Sequence, residues 1–396
     1  MTRVLPRKII HMDLDAFFCA VEELHDPSLV GKPFAVGGRP EGRGVVASCS
    51  YAARVYGVHS AMPTAQALRL CPGLIVIPGR HHEYAAYSRR VMQHLSNLTD
   101  VVEQISIDEA FIDVTDLKAP AREIAETLQR TLWDELHLPC SLGVASNKLV
   151  AKIANTVGKA TAEPGRPPMA ITVVPPGQEA AFLAPLPVVE LWGVGPKTAQ
   201  RLEALGVKSI GDLATWPEGD LVQRFGTYGH DLIRRAQGID TRSVASEHRI
   251  KSMGRETTFV RDVTDEMTLR RVLCQLVEDV GQRLRRAGRA GNTVKLKLRW
   301  ADFTTITRQI TLEEPTAYDD VILQAAEGLL RAHWPKGRAV RLIGVAVSNL
   351  GPPAMQLRLW DKSYEKQQRL QAALDHVRER FGRDAIRRAI VINDKA

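Results

Sequence analysis

The segment from Gln104 to Val114, QISIDEAFIDV, has the alternation of a half-buried strand, yet it carries Asp108 and Glu109 side by side. An ionised carboxylate is costly to bury without a charge partner or a metal, and two neighbours are costlier. Successive side chains of a regular strand point to opposite faces, so these two can converge only where the chain turns or bulges. A tight hairpin pairing QISI with AFIDV meets that condition and sets both acids at the end of a sheet. Taken alone, the segment also fits an exposed hairpin tip, where acidic residues are common.

A second apolar strand, in IIHMDLDAFF, ends at Asp13. Laid beside the hairpin in one sheet, it brings three carboxylates to a single edge. Such a cluster repels itself unless cations sit in it, and oxygen-only ligands select Mg²⁺ or Mn²⁺ over zinc. Two such ions roughly 3.5–4 Å apart are the usual apparatus of phosphoryl transfer. The pattern points to nucleotidyl transfer. Zinc chemistry has no support: Cys19, Cys49, Cys71, Cys140 and Cys274 are scattered and form no C-x-x-C, and the histidines show no ligand spacing. The cysteines are expected to be small core residues.

At 396 residues the chain calls for two or more domains. Strands alternate with helices up to about residue 157 in the manner of a ferredoxin-like unit with a mostly antiparallel sheet, carrying a small α+β insertion after its first helix. The Pro- and Gly-rich stretch 159–178 reads as a boundary loop, followed by short helices with Gly-bearing turns. The polar stretch 238–259 reads as a tether, and strands with two helices then form a second small α+β sandwich. No apolar run is long enough to cross a bilayer and no signal peptide is indicated, so the chain is expected to be cytoplasmic. With 53 basic and 45 acidic residues the net charge is +8, which favours a polyanionic partner. The basic residues gather in GQRLRRAGRAGNTVKLKLRW (281–300), where Lys295, Lys297 and Arg299 alternate onto one strand face.

HMDLDAFFCAVE, VVASCSYAARVYGV, SIDEAFIDV and LGVASNKLVAKIAN together resemble, in order and spacing, the signatures of Y-family DNA polymerases of the DinB type. The resemblance implies an α+β right hand: a ferredoxin-like palm (1–18 and 79–168), small fingers (19–78), a helical thumb (169–240), a tether (241–250), an α+β little finger (251–350) and a C-terminal tail (351–396). It implies a template-directed, error-prone translesion polymerase without proofreading, adding deoxynucleotides to a primer 3′ end. Asp13, Asp108, Glu109 and the carbonyl of Leu14 would hold two Mg²⁺, with Mn²⁺ as a substitute. Asp15 and Asp113 have no such role. Tyr51 and Arg54 would grip the triphosphate, helped by Ser48 and Lys159. Phe18 would be the steric gate against ribonucleotides, with Phe17 behind it.

LWGVGPKTAQRLEALGV has the form of a helix-hairpin-helix, in which Gly193, Gly195 and Lys197 would meet a DNA phosphate. Pro196 breaks its likeness to a Walker loop, so nucleotide hydrolysis is not expected. RFGTYGHDLIRRAQG reads as a weaker copy. Lys295, Lys297 and Arg299 would grip the phosphates of primer-template DNA. QLRLW resembles the family's clamp-binding peptide, so Gln356, Leu357, Leu359 and Trp360 would bind a sliding clamp. A monomer is expected. Two rival readings are another palm enzyme such as a nucleotide cyclase, and a non-catalytic DNA-binding protein on the same fold.

Overall fold

A computed structural model describes residues 6–246, 249–353, 363–382 and 385–389. The chain divides into two compact units, Met1–His248 and Arg249–Ala396.

The first unit begins β1 (Ile9–Leu14), α1 (Phe17–His25), β2 (Phe34–Gly37), β3 (Val46–Cys49), α2 (Tyr51–Arg54), α3 (Thr64–Leu70), β4 (Ile75–Ile77) and α4 (His81–Leu98). It continues β5 (Val102–Gln104), β6 (Glu109–Asp113), α5 (Ala121–Leu136), β7 (Cys140–Ala145), α6 (Lys148–Ala160) and β8 (Ile171–Val173). Five short helices close it: α7 (Glu179–Leu183), α8 (Pro196–Glu203), α9 (Ile210–Ala214), α10 (Glu218–Phe225) and α11 (Tyr228–Ala236).

Its main sheet has the order β5-β6-β1-β7-β8, antiparallel except for the β7–β8 pair. Without β8 this is the ferredoxin-like order. β1 lies at the centre, and its two faces serve two cores. Ile10, Met12 and Leu14 pack with residues of α1, α4 and α5. Ile9 packs on the other face with Phe111 and with Leu149, Val150 and Ile153 of α6. A Cβ at Gly143 would sit 1.9 Å from the Ala151 carbonyl oxygen, so only glycine lets α6 close on β7. Asn147 caps α6, its side chain accepting from the Val150 N–H at 3.0 Å. The insertion is a separate three-stranded sheet, β3-β2-β4, with its own small core around Val46, Ala53 and Met62. All five cysteines are buried and free, as expected of core residues.

Two expectations need correction. The stretch 159–178 is not all loop: Ile171–Val173 is β8, a parallel edge strand beside β7, so the main sheet runs past 168. Three residues between Pro- and Gly-rich flanks are too short to show a period, and only the neighbouring strand reveals them. The tether is also shorter than 238–259. Asp240 Oδ2 accepts from the Leu149 N–H at 3.2 Å, the Ala245 N–H donates to Glu103 at 2.8 Å, and Val244 is buried. That part is docked on the first unit by polar contacts that leave no periodic trace.

The second unit comprises β9 (Ser252–Val263), α12 (Glu266–Arg286), β10 (Ala290–Trp300), β11 (Thr305–Thr316), α13 (Asp319–His333), β12 (Val340–Gly351) and α14 (Ser363–Phe381). β9 is the strand that the tether reading missed. Most of its residues are exposed and polar, so it lacks the apolar alternation that marks a half-buried strand. The sheet order is β11-β10-β12-β9, all antiparallel, and α12 and α13 share a core with Val294, Leu296, Leu298, Ile343 and Val345. Among the described residues, no helix is long and apolar enough to cross a membrane.

Candidate active site

The strand register builds the site. Asp13 of β1 lies directly opposite Glu109 of β6, His11 opposite Phe111, and Ile9 opposite Asp113. Because side chains alternate, Asp13 and Glu109 share the face that α6 covers. Asp108 closes the turn before β6, and its carbonyl accepts from the Leu14 N–H at 3.0 Å, which fastens the turn to the end of β1. A hairpin is present, but not as QISI against AFIDV: Val102–Gln104 pairs with Ala110–Ile112, residues 105–108 form the turn, and Glu109 is already in the returning strand. Ser106 holds the turn: its hydroxyl accepts from the Asp108 and Glu109 N–H groups at 3.2 and 3.0 Å and donates to Asp108 Oδ1 at 2.5 Å. Sequence reading passed over Ser106, although a serine two residues ahead of a turn acid is a recognisable signal.

α6 supplies cations to these acids. Lys159 donates to Asp13 at 2.5 Å and lies 3.1 Å from Asp15, while Lys152 donates to Glu109 at 2.7 Å. Burial pushes the Asp13 carboxyl up to about 7 against the pull of Lys159, with Glu109 and Asp108 adding to the rise. Glu109 goes the other way: His11 and Lys152 outweigh its burial and hold it well below the usual carboxylate range. His11 is pushed down to about 4, chiefly by burial, and is neutral. Burial works against the Lys159 ammonium, but Asp13 and Asp15 outweigh it and raise its pKa.

Among the described residues, no three acidic, histidine or cysteine groups converge closely enough to form a ready-made metal site. The strand register brings Asp13, Glu109 and the neighbouring Asp108 to one edge, each side chain held by its own lysine or serine partner. The donor set suits a hard divalent cation: it is all oxygen, and the half-buried Asp13 carboxyl is under-compensated by one ammonium shared with Asp15.

A cavity of about 410 Å³ opens over this edge, lined by Asp13, Leu14, Asp108, Lys159 and, from the other side, by Phe17, Phe18, Ser48 and Arg54. The arrangement offers carboxylates on the floor, cations on the wall and a ring at the side. Tyr51 does not line it. The Arg54 guanidinium lies 4.3 Å over the Tyr51 ring, which borders an adjoining hollow with Asp15 and Ala16. Burial, with Asp15 next, pushes the Tyr51 phenol far above its ordinary value, so it remains a hydroxyl. Asp15 is fully buried, bound by Ser141 at 2.9 Å and by the Met169 N–H at 3.0 Å, and Asp113 accepts from Thr115 at 2.9 Å. Asp113 is a local hydrogen-bonding group, whereas Asp15 is a buried one whose partners Ser141, Lys159 and Met169 lie more than a hundred residues along the chain.

Profiles of known families match three parts of the chain: the impB/mucB/samB family over residues 12–156, its HHH motif over 176–207 and its C-terminal domain over 250–359. The chain belongs to this family, the Y-family DNA polymerases. A DNA polymerase IV of Listeria monocytogenes serotype 4b (strain F2365) is 44% identical over 349 residues, covering 87% of this chain and 96% of that protein. Among solved structures, a Y-family DNA polymerase chimera, Dbh-Dpo4(243-245)-Dbh, matches with a TM-score of 0.77 at 26% identity over 87% of this chain and 99% of its own. An insertion ternary complex of Dbh DNA polymerase matches with a TM-score of 0.63 at 27% identity, over the same shares of the two chains.

The remaining Y-family expectations fall outside the cavity. Gly195 is the N-cap of α8 with Pro196 following, and Gly193 adopts φ +100°, open to glycine and strained for other residues. Tyr228 of the second Gly-bearing turn donates to the Gly193 carbonyl at 2.7 Å, so the two turns pack together. In the second unit Lys295, Lys297 and Arg299 share the face of β10 away from the helices, where Lys297 donates to Glu256 at 2.8 Å and Arg299 to Thr305 at 2.9 Å. Gln356, Leu357, Leu359 and Trp360 lie outside the described residues.

Proposed function

We propose that this Y-family polymerase is of the translesion type, extending a primer on damaged templates without proofreading, as a cytoplasmic monomer. The observation that carries the assignment of its chemistry is Asp13 and Asp108 on the floor of a cavity walled by Lys159 and Arg54, with Glu109 opposite Asp13 in the strand register and Asp108 tied to Leu14. Asp13, Asp108, Glu109 and the Leu14 carbonyl would hold two Mg²⁺, or Mn²⁺ in their place. When bound, such ions lower the pKa of an attacking hydroxyl and neutralise a departing phosphate. Arg54, Lys159 and Ser48 bind the triphosphate of the incoming deoxynucleotide from the cavity wall, the guanidinium offering a paired donor that lysine lacks, and Tyr51, stacked against Arg54, joins them from the adjoining hollow. Phe18 occupies the space a 2′-hydroxyl would need, with Phe17 packed behind it.

Gly193, Gly195 and Lys197 grip the duplex through its phosphates, and Lys295, Lys297 and Arg299 do so from the second unit. The segment boundaries are read as palm, fingers, thumb and little finger, with β8 assigned to the palm. Residues 356–360 bind a sliding clamp. Related solved structures include ternary complexes of Dbh DNA polymerase, which supports primer-template DNA and nucleotide as ligands here.

Primer extension with Mg²⁺ on intact and damaged templates tests this reading. The intact chain extends both, and Asp108→Ala loses about 10³-fold or more in rate while DNA binding survives. No extension by the intact chain, together with DNA binding that survives Asp108→Ala, would overturn the polymerase reading in favour of a binding module, and extension unaffected by Asp108→Ala would remove Asp108 from the catalytic set. Deleting residues 356–360 is expected to abolish stimulation by a clamp and leave unstimulated extension intact.

A further inference from the structure

α1 and α4 are braced against each other beside the cavity. Phe18 and Glu22 lie one turn apart on α1, and Arg80, the N-cap of α4, lies one turn before Tyr84. At one level the Phe18 and Tyr84 rings stack, their centroids 4.2 Å apart and their planes 13° from parallel. At the next level the Arg80 guanidinium grips both oxygens of Glu22, with Nε donating to Oε1 at 3.1 Å. The Tyr84 hydroxyl ties the two levels together, donating to Glu22 Oε1 at 2.5 Å. His81 closes the edge, perpendicular to both rings at 5.9 and 5.8 Å.

Tyr84 is fully buried and Glu22 is 2% exposed. A buried carboxylate is costly unless every acceptor is used, and here three donors fill it. Burial works to raise the Glu22 pKa, but Arg80 and Tyr84 outweigh it and hold it below the ordinary value. None of the three lines the cavity; Tyr84 reaches it chiefly through the stacked Phe18 ring and also, edge-on at 6.3 Å, through Phe17.

We propose that Tyr84, clamped by Glu22 and Arg80, is the positioning residue of the steric gate: it holds the Phe18 ring at the sugar edge of the cavity and sets how strictly a 2′-hydroxyl is excluded. This rests on the reading of Phe18 as the gate. A ring free to leave its rotamer well relieves a clash at small cost, whereas a ring stacked on a pinned neighbour cannot.

The test is single-nucleotide insertion with deoxy- and ribonucleoside triphosphates, read as the ratio of their kcat/KM values. Tyr84→Leu removes the stacking partner and is expected to lower the ratio about tenfold, while deoxynucleotide insertion changes by less than about threefold. Tyr84→Phe keeps the ring and loses only the clamp, so its ratio falls between Tyr84→Leu and the native chain. Glu22→Gln is expected to match Tyr84→Phe. A merely structural role would depress both sugars equally, and an unchanged ratio in all three variants would overturn the proposal. Should Tyr84→Leu fail to fold, Tyr84→Phe and Glu22→Gln carry the same readout. Phe18→Ala separates the two readings: no loss of discrimination there sinks the gate itself, whereas loss there with none in the Tyr84 and Glu22 variants sinks only the positioning role.

Discussion

Asp13 is the residue on which burial and charge pull hardest against each other. Its folded-state pKa of about 7 lies above the ordinary carboxylate value of roughly 4, so folding takes up a proton between those limits. The sign follows: stability without divalent cations falls as pH rises through that window. Glu109, whose pKa is depressed, acts in the opposite sense and only below its ordinary value, so the two do not overlap. Thermal unfolding in chelator from pH 5 to 8 is expected to show a decline that Asp13→Asn flattens, the difference amounting to a few kcal/mol at most. Added Mg²⁺ should restore stability most at the high end, where Asp13 is already ionised. A wild-type profile no steeper than that of the variant would show that Asp13 is not the titrating group. The three acids were readable in sequence because charge inside an apolar strand is conspicuous. That Asp13 and Glu109 face α6 together was not, because facing is a matter of register, and a slip of one residue reverses it.

The proposed DNA contacts belong to elements, and two of them are testable as units. Lys295, Lys297 and Arg299 lie on one face of β10, where cross-strand neighbours include the small residues Ala346 and Gly344. A Cβ at Gly344 would stand 2.7 Å from the Glu256 Cβ, so glycine there lets Lys297 reach across to Glu256. Replacing all three cations by alanine is expected to weaken duplex binding without regard to sequence and to reduce the salt slope by about 2–3. An unchanged slope would remove β10 from the interface. In the first unit, a side chain at Gly193 would be strained at φ +100° and would press on Arg235, whose Nη1 lies 2.5 Å from a Cβ built there. Gly193→Ala should cost about 1–2 kcal/mol of binding or stability, measurable by titration and melting. The helix-hairpin-helix was readable because its glycines are obligatory. β8 and β9 were not, since one is too short and the other too polar to show a period.

At the scale of the whole molecule, the second unit holds its terminal helix by charge. Arg285 of α12 donates to Asp319 of α13 at 2.7 Å and to Asp375 of α14 at 2.6 and 2.9 Å, and Arg378 of α14 pairs with Glu278 at 2.9 Å. Asp319 is 1% exposed and also accepts from Gln371 at 3.1 Å. Breaking such a network from one side leaves buried charge uncompensated, so Arg285→Ala should destabilise the second unit by about 3 kcal/mol and release α14 to proteolysis. Unchanged stability would mean the helix is held by other contacts. The sequence reads 351–396 only as a C-terminal tail. Its docking depends on partners 50 to 100 residues away, which no local pattern records.

Sequence alone singled out the acids, because charge inside an apolar strand is conspicuous; the cations and the ring entered only through the resemblance to Y-family polymerases. Sequence also determined the order of domains, since strand and helix periods survive in a single chain. Only the tertiary structure decided which carboxylates share a face, that Lys152 and Lys159 neutralise them from α6, that Tyr51 stands beside the cavity and Arg54 within it, and that Glu22, Arg80 and Tyr84 brace Phe18. Each of these is a contact between segments far apart in the chain, fixed by register and packing and not by local spacing.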